Sequence, residues 1–145
     1  MALMACTSDA DPGGDSTATA APTVQSGSPS AVSEAALVAQ YEAALATVGQ
    51  SDTETLALLA EIRDQHRAHL DALGGAPEAP VPSPASSAQT VLADLVAAER
   101  GAYKERVAAC VDATEPDLAR VLALIAASEA AHVPALRGLR SGGAA

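Results

Sequence analysis

Four stretches of the chain carry apolar residues spaced alternately three and four apart, the period at which side chains return to one face of an α-helix. Helix 1 is predicted over residues 32–48, with Glu34, Val38, Tyr41, Leu45 and Val48 on its stripe. Helix 2, over 53–73, aligns Leu59, Ile62, His66, His69 and Leu73. Helix 3, over 87–111, aligns Leu92, Val96, Glu99, Tyr103, Arg106 and Cys110. Helix 4, over 114–139, aligns Leu118, Leu122, Ile125, Glu129, His132, Leu136 and Leu139. Alanines flank every stripe and permit close approach of neighbouring helices.

The punctuation agrees with this division. Ser51 with Glu54 three later reads as a capping box opening helix 2, and Gly74 follows its last Leu, where a C-terminal glycine is expected. Ser86 with Gln89 caps helix 3, and Thr114 caps helix 4, with Pro116 tolerated in its first turn. A Gly/Pro-rich linker, 74–86, separates the hairpins 32–73 and 87–139. The pattern predicts an all-α, antiparallel four-helix bundle over 31–139, followed by a disordered tail, 140–145.

Composition narrows the function classes. The 145 residues suffice for one or two small domains, and the absence of Phe and Trp argues against an aromatic-rich β core. A net charge of −10 with singly scattered basic residues excludes nucleic acid and anionic headgroups as partners. No uncharged apolar run approaches the roughly 18 residues that span a bilayer, so no membrane-crossing segment is expected. There is no Gly-rich phosphate loop and no strained Ser elbow, and Cys110 has no His partner in register, which removes the nucleotide and hydrolase readings.

The first six residues end in Leu3-Met4-Ala5-Cys6, which looks like the lipobox at which bacterial lipoprotein precursors are cleaved and acylated. Residues 7–30 are Ser, Thr, Ala, Gly, Pro and Asp with almost no large apolar side chain, the composition of a disordered tether. The expectation is that 1–6 are the remnant of a lipoprotein signal. Cys6 then carries a lipid that anchors the domain outside the cytoplasm on the cell membrane. A Cys6–Cys110 disulfide is the other use of the two cysteines.

Polar residues interrupt each apolar stripe, and a carboxylate or imidazole in a core position needs a partner or a metal. His66 and His69 lie about 14 to 17 residues past the first hairpin turn, and Glu129 and His132 a similar distance past the second. At ~1.5 Å per residue they share one level, which on the other two helices falls near Glu34 and near Glu99 or Asp94. Glu42 is an alternative on helix 1, and an internal Glu99–Arg106 salt bridge would serve as a metal-free partner. Tyr41 reads as core with its hydroxyl bonded, Pro134 as a bend in helix 4, and Asp64, Asp71, Glu105 and Asp117 as a solvated face. Residues 65–73 also align without gaps on 128–136, pairing His66 with Glu129 and His69 with His132.

With the two hairpins, Glu129-Ala-Ala-His132 and the interrupted stripes, the chain resembles the ferritin-like superfamily over residues 31–139, in particular its small secreted or lipid-anchored bacterial domains. The resemblance implies metal ligation by Glu34, His66, His69, Glu99, Glu129 and His132, with His66 standing where that family has a bridging Glu. Three Glu and three His carry less negative charge than the family's four Glu and two His. Such a set suits one or two Fe(II), Mn or Zn ions better than two ferric ions. The function expected is a non-enzymatic, lipid-anchored envelope domain engaging another envelope protein. The alternative is a metal-binding protein or di-metal oxidoreductase using the Glu/His layer.

Overall fold

A computed structural model describes residues 27–48, 52–75, 82 and 87–142. Cys6, the segment 1–26 and most of the linker lie outside the described residues, as do Ser51 and Ser86. Four helices and no strands make up the described chain: α1 (Pro29–Thr47), α2 (Thr53–Ala72), α3 (Ala88–Asp112) and α4 (Pro116–Gly142). The all-helical reading holds.

Boundaries shift by a few residues, each for a local reason. Helix α1 begins three residues earlier than expected, because Ser28 accepts a hydrogen bond from the Ala31 N–H and Pro29 fits the first turn. Asp52 caps α2 through Thr55, and Ser87 caps α3 through Thr90, each one residue after the serine expected in that role. Helix α4 starts at Pro116 and stays helical through Pro134 to Gly142, so the first residues of the expected tail, 140–142, belong to it.

The end of α2 is closed as the glycines foretell. Gly74 N–H donates to the Asp71 carbonyl and Gly75 N–H to that of Leu70, both glycines having φ near 90°. Gly74→Ala is expected to cost about 1 kcal/mol, read as a lower denaturation midpoint, because an L side chain is strained at that φ.

The helices pack as a bundle in which α3 lies most extensively on α4, α1 on α2 and α1 on α3, while α2 and α4 meet only lightly. Two apolar clusters fill it. One joins Tyr41 and Ala44 of α1, with its C-cap Val48, to Leu59 and Ile62, to Val91, Leu92, Leu95 and Val96, and to Leu136. The other joins Ala31 and Ala35 to Leu70, Leu73, Leu122 and Ile125. The first gathers the late part of α1 and α4 with the early part of α2 and α3, and the second gathers the opposite parts. Between them lies a polar layer.

The buried seams differ in detail from the expected stripes. Val38 and Leu45 are only partly covered, and Leu37 and Ala44 take the inward positions of α1. On α3, Tyr103 is 40% exposed, and Ala102 faces inward in its place. Helix α4 over Pro116–Ser141 is long and apolar enough by length and composition to cross a bilayer, contrary to the expectation that no segment is. That apolarity has a bundle explanation, since Leu122, Ile125 and Leu136 face the core and alanines cover much of the outer face.

Candidate metal centre

Glu34, His66, Glu99 and Glu129 are fully buried, His132 is 5% exposed, and His69 is partly buried. All six residues expected as ligands therefore meet in one layer. Asp94 and Glu42 do not join them: Asp94 is exposed, and Glu42 sits outside, paired with Arg67 at 2.6 Å.

His66 is the hub. Its Nδ1 lies 2.9 Å from Glu34 Oε2 and its Nε2 lies 2.9 Å from Glu99 Oε1. Each carboxylate then meets a second imidazole. His69 Nδ1 is 3.5 Å from Glu34 Oε2, and His132 Nδ1 is 3.2 Å from Glu99 Oε2. Tyr41, buried as expected, donates its hydroxyl to Glu99 Oε1.

Arg106 also enters the layer, in a way the sequence reading misplaced. It pairs with Glu34 and not with Glu99: Nε and Nη2 donate to Glu34 Oε1 at 3.2 and 2.9 Å, and Nε lies 3.6 Å from Glu129 Oε1. Its head is 1% exposed. Side chains on a helix lean toward its N-terminus, so the guanidinium lies well back from the Arg106 Cα, toward the level of Glu34 on α1.

These contacts set the protonation of the layer. Burial pushes the Glu34 carboxyl up, but the His66 and His69 rings beside it and the charges of His66 and Arg106 outweigh that and hold it well below the usual range. Glu99 is similarly penalised by burial, yet His132 and His66 bring it down to about 2. His66 is raised to about 9, because Glu34 and Glu99 overcome the desolvation that would lower it. Glu129 is raised to about 9 by burial and by Glu34 and Glu99, against the pull of Arg106. Near neutral pH, two carboxylates thus face two cations, His66 and Arg106, with Glu129 protonated.

Charge balance does not satisfy every atom. Among the described residues, His69 Nδ1, Glu99 Oε2, both Glu129 oxygens and His132 Nδ1 are buried without a hydrogen bond, and all belong to this layer. The His132 ring shows why. Gln65 donates its amide to Glu61 at 3.4 Å and turns its carbonyl oxygen to His132 Nε2 at 2.9 Å, with Ser128 completing the contact. Nε2 therefore carries a proton, and Nδ1 faces Glu99 Oε2 at 3.2 Å. Neither atom has a hydrogen bond, so both are open to a cation.

Donor atoms converge in two groups, Glu34 with His66 and His69, and His66 with Glu99 and His132. Glu129 reaches the layer but joins neither group, and it faces Arg106 instead. Four carboxylates around two ferric ions do not fit here, since Arg106 already places a cation on Glu34 and beside Glu129. A mixed carboxylate and imidazole set fits zinc, manganese or ferrous iron.

Among the described residues Cys110 has no disulfide partner; it is partly buried, with Sγ 3.2 Å from the Ala119 carbonyl. Comparison with family models, with curated proteins and with solved structures gave no match to the chain.

Proposed function

We propose that the protein is a ferritin-like, antiparallel helical bundle that binds divalent metal through Glu34, His66, His69, Glu99 and His132. The reading rests on one observation: the layer holds buried ring and carboxylate atoms without hydrogen bonds, and those of His69, Glu99 and His132 belong to residues of the two groups where donor atoms converge. The antiparallel arrangement is supported by the apolar clusters, which pair early α1 and α4 with late α2 and α3. Gln65 plays the part of an outer partner that fixes the His132 tautomer for ligation. His69, the partly exposed member of the layer, offers an ion a way in.

An ion held there would supply Lewis acidity, or electron transfer if it were iron or manganese. The protein's own contribution is to exclude water, hold the rings in one orientation and keep Glu129 and Arg106 close by. The proposed setting is the cell envelope, with Cys6 lipidated and the segment before α1 as the tether.

One observation favours a second reading, a metal-free envelope binding domain: Arg106 and protonated His66 already neutralise Glu34 and Glu99. Thermal unfolding separates the two. On the metal reading, zinc, manganese or anaerobic ferrous iron at about 100 times Kd raises the melting temperature by on the order of 10 °C. The His69→Ala/His132→Ala variant loses that rise. An unchanged melting temperature with every ion leaves the metal-free reading.

A further inference from the structure

The two donor groups are built alike. The first hairpin furnishes a Glu and a His, Glu34 and His69, and the second furnishes Glu99 and His132. Their separations in sequence, 35 and 33 residues by subtraction, are nearly equal, and His69 and His132 coincide when 65–73 is laid on 128–136. At the remaining matched position the halves differ, with His66 in one and Glu129 in the other. Only His66 belongs to both donor groups.

The ring geometry makes this sharing specific. Nδ1 and Nε2 of an imidazole point to opposite sides of the ring, so one ion cannot take both. Here each nitrogen is 2.9 Å from a carboxylate of a different group. His66 is fully buried, and it stands within 5.6 Å of the His69 ring and 5.1 Å of the His132 ring, centroid to centroid. Each group thus offers one carboxylate, one imidazole of its own and one nitrogen of the shared ring. Three protein ligands of that kind are a sufficient set for a borderline divalent ion and leave a further coordination position open.

We infer that the layer takes two divalent ions at once and that His66 is the bridge between them. One ion would be held by Glu34, His69 and His66 Nδ1, the other by Glu99, His132 and His66 Nε2. A ring bound through both nitrogens carries no N–H, so its protons pass to solvent as the ions enter. The inference rests on the metal reading above and adds the number of ions and their connection.

Copper(II), a strong imidazole-seeking ion, is a suitable probe because two such ions joined through one imidazole couple their spins. The full chain carrying Cys6→Ser and Cys110→Ser, which removes competing thiols, is loaded with copper(II), desalted, and examined by elemental analysis and electron paramagnetic resonance. The expected result is two equivalents of copper with an integrated intensity far below two spins per chain. His69→Ala, at a partly exposed position whose loss spares the core, should retain one equivalent at full single-spin intensity. Two equivalents with the intensity of two independent spins, or a single equivalent in the parent protein, would overturn the bridge and leave a metal site of simpler form. No retained copper, with none of zinc either, would overturn the metal reading together with the bridge.

Discussion

Replacing Arg106 by methionine should destabilise the metal-free protein by about 3–5 kcal/mol, the usual cost of leaving a buried charge without its partner. Arg106 gives two hydrogen bonds to Glu34 and lies beside Glu129, and all three are buried. Methionine conserves much of the stem's packing, so the loss reports the guanidinium. The same substitution should strengthen metal binding, because a cation competing for Glu34 is gone. Zinc would then restore stability by mass action. Urea denaturation with and without zinc tests both signs; a variant as stable as the parent would show that Arg106 is not the counterion of Glu34.

Stability should also fall steeply as pH rises above neutrality. Glu129 titrates from an ordinary 4.5 to about 9 in the fold, and His66 from 6.5 to about 9. Between the unfolded and folded values of a raised group, the native state holds the extra proton, so stability declines with increasing pH. For His66, the contribution is complete below 6.5 and lost as pH passes 9; for Glu129, the decline already begins above 4.5. From 6.5 to 9 both act together, at ~1.4 kcal/mol per pH unit for each proton. On the acid side the sign reverses. Glu99, lowered to about 2, and Glu34, lowered further, contribute stability above 4.5 that disappears as they are protonated. The metal-free protein should therefore be most stable near pH 4.5, decline with one proton's slope to 6.5 and with two beyond it, and chemical denaturation across pH 4–9 checks this. A flat profile would mean that His66 and Glu129 are not protonated inside the layer. Replacing Glu129 by Gln, which mimics the acid form, should flatten the alkaline limb.

The level at which the polar residues meet was legible because helical rise converts residue counts from a hairpin turn into depth. That is why Glu34, His66, His69, Glu99, Glu129 and His132 can be placed at one level from the sequence. Helix ends were legible to within a few residues, since Ser, Asp and Gly signal caps, but adjacent candidates such as Ser86 and Ser87 compete for one role. The stripe of α3 was harder. Spacings of three and four both continue a helical face, and only the packed bundle selects Ala102 over Tyr103. Arg106 was placed on the stripe, but its partner was not readable from spacing. A long side chain leans along its helix and meets whatever the neighbouring helix presents at that depth. Gln65 was missed for a related reason: it lies one position from His66 in sequence, and its value comes from orienting His132 on another helix. Nothing in spacing alone distinguishes such a residue from an ordinary polar surface position.

Whether the Glu/His layer holds metal is read from the metal that the protein retains. The full chain would be exposed anaerobically to ferrous iron, manganese or zinc, desalted, and assayed by elemental mass spectrometry beside the His69→Ala/His132→Ala variant. One to two equivalents of at least one ion are expected in the parent, with most of it lost in the variant. No retained metal in the parent, or equal retention in both, would contradict a metal-holding layer.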